Sequence, residues 1–292
     1  MQRQMAPIAH NGVLALSMPQ IKLIAADVDG TLIGSSKVPT ERVKSAIRMA
    51  IELGCEVVPA TGRSRYTMRH LMEELGLSGP VILFGGAVVL HWGSCAVWHH
   101  VLIPVELAKK VVTVIRGCGM GSVAMADGIE SDCVVAERIL PPPEAYVERN
   151  IARLEWVDDL TQSMPFEPAT VVAVGDEDVA LNCVRRLKSE FGEALSITAS
   201  YSVAYGGWVV EVHHKDGSKG KALTVILERL AIPKEQVMAI GDNLNDIDML
   251  QCAGLRVAMA NSPEEVKRVA HEVVPSADDD GVAYAIHKFV LR

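Results

Sequence analysis

The short apolar run Ile21-Lys22-Leu23-Ile24-Ala25-Ala26 stops at two carboxylates one residue apart, Asp27 and Asp29, with Gly30-Thr31 directly behind them. Such a run reads as a buried strand. Two carboxylates this close repel, and each prefers water unless a cation lies between them. The pair therefore belongs where a strand leaves a sheet. The two-residue period of a strand sends Asp27 and Asp29 to the same side, although the turn at Gly30 can splay them. An Asp-Gly pair after a strand is also an ordinary turn, so the reading depends on what else arrives at the same edge.

The same texture continues downstream. Thr40 caps a helix expected over 41–53, with Gly54 as its stop. Strands are expected over 55–60 and 81–84, with a helix from Ser64 to Leu75 between them. After Gly217 the alternation returns, with helices over 219–230, 247–252, 263–270 and 281–289 and strands over 237–240, 255–259 and 273–274. Short apolar strands alternating with amphipathic helices imply an α/β fold, a Rossmann-like parallel sheet with helices on both faces. Between the two blocks, hairpin-like strands (87–90, 96–103) precede a mixed order of helices (105–116, 144–153, 179–191) and strands (122–126, 170–174, 196–200, 208–213). That order implies an inserted α+β cap domain. The expected division is a flexible extension over 1–18, a core over 19–85 and 214–292, and a cap over 86–213.

A net charge of -8 without a basic stripe argues against nucleic acid as a partner. A small anionic substrate stays compatible with it, because a local metal ion and lysine outweigh the global charge. Six cysteines without C-x-x-C spacing suit a reducing compartment, and no apolar stretch reaches the length of a membrane span. The expectation is a cytoplasmic protein, monomer or homodimer, acting on a small phosphorylated metabolite away from membranes.

Four polar clusters stand at the ends or starts of core elements: Asp27-Val28-Asp29-Gly30-Thr31, Thr61-Gly62-Arg63, Ser218-Lys219-Gly220-Lys221 and Gly241-Asp242-Asn243-Leu244-Asn245-Asp246. In parallel α/β sheets, ligands gather at the carboxyl ends of the strands. Together these residues suit phosphoryl transfer. Asp27 is a candidate nucleophile. Mg2+ favours oxygen ligands, here the Asp27 and Asp242 carboxylates and the Asp29 backbone carbonyl. Lys219 supplies a fixed positive charge and Thr61 a hydrogen-bond donor for the phosphoryl oxygens. Asp29 can protonate the leaving oxygen and later activate water.

These motifs resemble the haloacid-dehalogenase-like superfamily of aspartate-nucleophile phosphatases, in its Cof-type branch with a large cap between the second and third motifs. The resemblance runs from residue 20 to 292. It is carried by DVDGTL (Asp27 to Leu32), PATGRS (Pro59 to Ser64), DGSKGKAL (Asp216 to Leu223) and GDNLNDIDML (Gly241 to Leu250), with weaker matches at VAMANSPEEVK (Val257 to Lys267) and DDDGVAYAI (Asp278 to Ile286). It implies Asp27 as nucleophile, Asp29 as acid and base, and Thr61, Gly62 and Lys219 around the phosphoryl group, with Lys221 as the alternative lysine. It further implies Mg2+ held by Asp27, Asp29 and Asp242, with Asn245 and Asp246 in support. An acid at position 29 favours phosphatases and phosphomutases over dehalogenases and ion pumps. The chain departs from the family pattern at Gly85-Gly86, where members often carry Asn-Gly.

The cap should close over the metal site and recognise the leaving group. Glu211 in the last cap strand either binds sugar hydroxyls or faces solvent, and Arg63 either clamps a second anionic group or pairs with an acidic cap residue. His213-His214 and His99-His100 read as surface or hinge residues. The expected activity is Mg2+-dependent hydrolysis of small phosphomonoesters, with sugar phosphates as the expected substrates, through an aspartyl-phosphate. Alternatives are a phosphomutase of phosphomannomutase type and a non-catalytic phosphate-binding module.

Overall fold

The chain forms two β-sheets, and the larger is parallel over most of its width, which is what builds the site. The structure is a computed structural model that describes residues 20–202 and 205–291. The extension expected over 1–18 lies outside the described residues. In chain order the core contains β1 (Leu23–Asp27), α1 (Glu41–Glu52), β2 (Glu56–Ala60), α2 (Arg65–Leu75), β3 (Pro80–Leu83), β4 (Val88–His91) and β5 (Ala96–His100). There follow α3 (Val105–Arg116), β6 (Ser122–Met125), β7 (Val134–Glu137), α4 (Glu144–Asn150), β8 (Leu154–Val157), β9 (Thr170–Gly175), α5 (Glu177–Phe191), β10 (Leu195–Ser202) and β11 (Gly207–His214). The chain ends with α6 (Lys219–Leu230), β12 (Val237–Gly241), α7 (Ile247–Gln251), β13 (Leu255–Met259), α8 (Glu264–Val269), β14 (Glu272–Val274) and α9 (Gly281–Phe289).

The larger sheet has the order β14-β13-β12-β1-β2-β3-β4-β5. Its β3-β4-β5 end is antiparallel. Along β1, Ile24 and Ala26 join the apolar layer beneath α1, α2 and α9, whereas Leu23 and Ala25 join the layer beneath α6, α7 and α8. Burial on alternate sides explains the near-continuous apolar sequence of β1. Thr40 Oγ1 accepts the Val43 N–H at 3.2 Å and starts α1. Gly76, at φ 66°, closes α2.

Residues 86–100 correct the expected boundary of the cap. The hairpin β4–β5 is hydrogen-bonded to β3 and extends the larger sheet, because Val88, Val89 and Leu90 bury on it as an edge ribbon. The second sheet begins only at β6 and has the order β10-β11-β9-β6-β7-β8. Strands β7 and β8 were not anticipated. Strand β7 ends in Glu137, whose burial depends on partners remote in sequence, and β8 alternates Glu155 with partly buried Leu154 and Trp156 at the edge of the sheet. Helices α3 and α5 cover one face of this sheet through Val111, Ile115, Cys183 and Leu187 against Val210 and Val212. The opposite face, with Val209, is continuous with the apolar layer of the larger sheet. Among the described residues no helix is long and apolar enough to cross a membrane.

Candidate active site

The chain leaves β1 for β2 on one side and returns through β12 on the other, so a crevice opens at the carboxyl end of β1. Asp27 closes β1 and is 7% exposed. Lys219 Nζ donates to Asp27 Oδ1 at 2.5 Å and to Asp246 Oδ1 at 2.6 Å. Lys219 stands in the first turn of α6, itself buried to 2% exposure. Lys221 turns away to the Lys215 carbonyl and the Asp216 carboxylate, both at 2.9 Å. Of the two lysines, Lys219 is the one that reaches Asp27 and Asp246.

The close approach of α6 requires Gly86. Phe84, Gly85 and Gly86 follow one another at positive φ (47°, 62° and 110°), and a Cβ on Gly86 would fall 2.2 Å from the Ser218 carbonyl. Only glycine lets that backbone pass. The Gly-Gly pair thus seats the helix start that carries Lys219.

Asp242 follows β12. Its Oδ1 accepts from Thr31 Oγ1 at 2.8 Å, and Asn261 Nδ2 lies 3.4 Å from its Oδ2. Asp246 Oδ2 accepts the backbone N–H groups of Asp242 and Asn243, each at 3.0 Å. With its other oxygen on Lys219, Asp246 has both oxygens engaged by protein donors and orients Asp242 and the lysine. Asn245 stands on the cleft wall beside Lys219.

Asp27, Asp242 and Asp246 bring oxygens within 4.8 Å of one another. Three carboxylates face one ammonium, so the cluster is short of positive charge. Burial pushes Asp27 well above the ordinary carboxylate value, Asp246 and Asp242 push the same way, and Lys219 opposes them. Asp242 is pushed up to about 6 by burial and then by Asp246. Burial would lower the Lys219 ammonium, but the Asp246 and Asp27 carboxylates outweigh it and hold its pKa above the ordinary value. A compact, buried, all-oxygen set short of positive charge fits a hard divalent cation such as Mg2+.

Asp29 is in a different environment. Its side chain is 45% exposed, and Arg63 grips it through two bonds, Nη2 to Oδ1 at 2.7 Å and Nε to Oδ2 at 2.8 Å. Neither expectation for Arg63 named this partner. Thr61, 2% exposed, accepts the Arg63 N–H at 3.0 Å through Oγ1, which leaves its hydroxyl proton free to donate. Beside it, a Cβ on Gly62 would lie 3.0 Å from Glu211 Oε1, so the second sheet comes down onto the Thr61-Gly62 turn. Glu211 lines a cleft of about 310 Å³ with Lys219, Asn245 and His213. The structure thus places Glu211 on the cleft.

Four supporting residues were missed. Thr31 and Asn261 hold Asp242, Asp248 Oδ2 accepts the Gly220 N–H at 2.9 Å at the start of α6, and His213 is not a surface or hinge residue but 3% exposed. Thr31 and Asn261 each follow an apolar strand in a short polar stretch, and that placement was the available signal.

A family model described as haloacid dehalogenase-like hydrolase matches residues 24–286. Phosphatase YwpJ of Bacillus subtilis is 29% identical, covering 90% of this chain and 98% of its own. From the same organism, 5-amino-6-(5-phospho-D-ribitylamino)uracil phosphatase YcsE is 31% identical over 93% and 96% of the two chains. The crystal structure of a haloacid dehalogenase-like hydrolase from Bacteroides thetaiotaomicron superposes with a TM-score of 0.75 at 27% identity, covering 92% of this chain and 99% of that one.

Proposed function

The chain belongs to the haloacid dehalogenase-like hydrolases and is a phosphoric monoester hydrolase, and we propose that it cleaves small sugar or polyol phosphates through a phosphorylated Asp27. The observation that carries this reading is the separation of the two carboxylates. Asp27 is buried against Lys219, while Asp29 is exposed and paired with a different cation.

Asp27 and Asp242, with the Asp29 carbonyl, would hold Mg2+, which when bound neutralises charge on the phosphoryl group. Lys219 adds a fixed positive charge, and the Thr61 hydroxyl and the N–H groups of its turn bind phosphoryl oxygens. An Asp27 oxygen attacks phosphorus as the ester P–O bond breaks, and Asp29 gives its proton to the departing oxygen. Asp29, now ionised, takes a proton from water. That water attacks the same phosphorus, releasing inorganic phosphate and restoring Asp27. Asp246 keeps Asp242 and Lys219 in place throughout.

The leaving group sits under the second sheet, where Glu211 faces the cleft. The name of YcsE describes a phosphate carried on a ribityl chain, which is a polyol phosphate. The test is phosphate release from a panel of sugar, polyol and nucleotide monophosphates. Net inorganic phosphate with Mg2+ is expected. An isomeric phosphate without net release identifies a mutase, and no turnover of any ester overturns the reading.

A further inference from the structure

The Gly85-Gly86 departure and the buried histidine of β11 meet at one place. His213 Nδ1 lies 3.3 Å from the Ala169 carbonyl. A carbonyl only accepts, so Nδ1 carries the proton and Nε2 presents its lone pair. Burial pushes the imidazole down, against the Glu211 carboxylate and the Ala169 carbonyl, which keeps it neutral. Nε2 is turned to the open side of Gly85: a Cβ there would lie 2.9 Å from it. Any side chain at position 85 would meet the ring, so glycine makes the room that the imidazole uses.

The pairing of β10 with β11 places Ser196 opposite His213 and Thr198 opposite Glu211. Residues two apart on a strand share a face, so these four form a two-by-two polar patch. All four line the cleft that also contains Gly85 and Lys219. Their neighbours Ile197, Val210 and Val212 point the other way, into the apolar layer beneath α3 and α5. Two members of the patch, Glu211 and the His213 Nε2, accept hydrogen bonds, and the two hydroxyls adapt to either role.

We infer that this patch reads the leaving group, with His213 Nε2 and Glu211 accepting hydrogen bonds from hydroxyls of a polyol or sugar chain. The inference rests on the phosphatase reading and deepens it. His213 is thereby a specificity-determining residue. A leaving group without donors would leave both acceptors unpaired, and a cleft built to bond hydroxyls discriminates strongly against such a group.

The test compares kcat/KM for ribitol 5-phosphate and sorbitol 6-phosphate with kcat/KM for p-nitrophenyl phosphate, whose leaving group carries no hydroxyl besides the ester oxygen. Both kinds of ester are assayed on the same preparations of wild type, His213→Leu and Gly85→Ala. The ratio is insensitive to the fraction folded, so a stability loss in either variant does not imitate the effect. The wild type is expected to favour a polyol ester. Each variant is expected to lower that preference about tenfold or more, with the KM for the polyol ester rising. A ratio unchanged in both variants overturns the inference alone, and a wild type that hydrolyses only the aryl ester overturns it together with the polyol substrate class while leaving the hydrolase reading intact. A wild type that hydrolyses neither kind of ester overturns the phosphatase reading and the inference with it.

Discussion

Arg63 and Asp29 form a two-point pair across 34 positions of sequence, 2.7 and 2.8 Å between heavy atoms. Asp27, two residues before Asp29, is held by Lys219 instead. Each carboxylate thus has its own cation. The buried one is fixed for attack, and the exposed one keeps access to water, which a proton carrier needs.

Asp29→Asn removes the proton carrier and should lower kcat for an alkyl phosphate by about 10²–10⁴-fold. Arg63→Ala keeps the carrier but frees its rotamer. The pair is partly exposed and worth about 1 kcal/mol, so kcat should fall only about fivefold. Steady-state kinetics on both variants separate the roles. Equal losses would show that Arg63 does more than position Asp29.

Asp27→Asn and Lys219→Met should both abolish turnover, yet shift stability in opposite directions. Without metal, the first change removes one of three mutually repelling carboxylates and should leave the protein as stable or about 1 kcal/mol more so. The second leaves buried carboxylates without their ammonium and should cost about 3–5 kcal/mol. Urea unfolding in the presence of chelator reads the sign. Residual hydrolysis by Asp27→Asn beyond trace wild type overturns the nucleophile assignment.

Chelation should stop turnover reversibly, and Mg2+ binding should compete with protons. Asp27 and Asp242 are raised in the folded protein, Asp242 from 3.8 to about 6. Folding therefore favours their protonated forms. Their contribution to metal-free stability is full below about pH 4 and, for Asp242, is lost as pH rises through about 6. A divalent cation compensates the ionised forms, so saturating Mg2+ should raise Tm by roughly 5 °C at pH 7.5. At pH 5 the increment should be much smaller. A Tm increment independent of pH would contradict carboxylate ligation by this cluster.

Arg116 tests the second sheet without touching the cleft. Its guanidinium bonds Glu137, which is fully buried, and Asp159 at 2.6 Å. Arg116→Ala leaves the Glu137 carboxylate with the Leu160 N–H at 3.2 Å as its one remaining donor among the described residues, and should cost about 3–5 kcal/mol. Activity measured well below the lowered Tm should stay near wild type. A change in Tm of less than a degree would show that water already satisfies Glu137.

Much of the core was legible because its signals are local. Thr40, Ser64 and Gly76 act on their own helices, and the apolar runs of β1, β2 and β12 declare burial on both sides of a sheet. The two short strands β7 and β8 carried no such signal, since their pairing depends on each other and on β6. The hairpin β4–β5 was legible as strands but not as part of the larger sheet. Nothing in Val88 to Leu90 says which sheet edge it will complete.

The sequence by itself determined which residue types stand at the strand ends: Asp27 and Asp29 after one strand, Thr61 after another, Asp242 after a third. Strand period, caps and polar termini are properties of contiguous chain, so they can be read along it. The tertiary structure alone decided the partners. It paired Lys219 rather than Lys221 with Asp27, gave Asp29 to Arg63, brought Asp246 to the same lysine, and turned Glu211 and His213 into the cleft. Those outcomes depend on distances between segments as much as 192 residues apart and on whether a backbone such as Gly86 lets them approach, and a linear pattern carries neither.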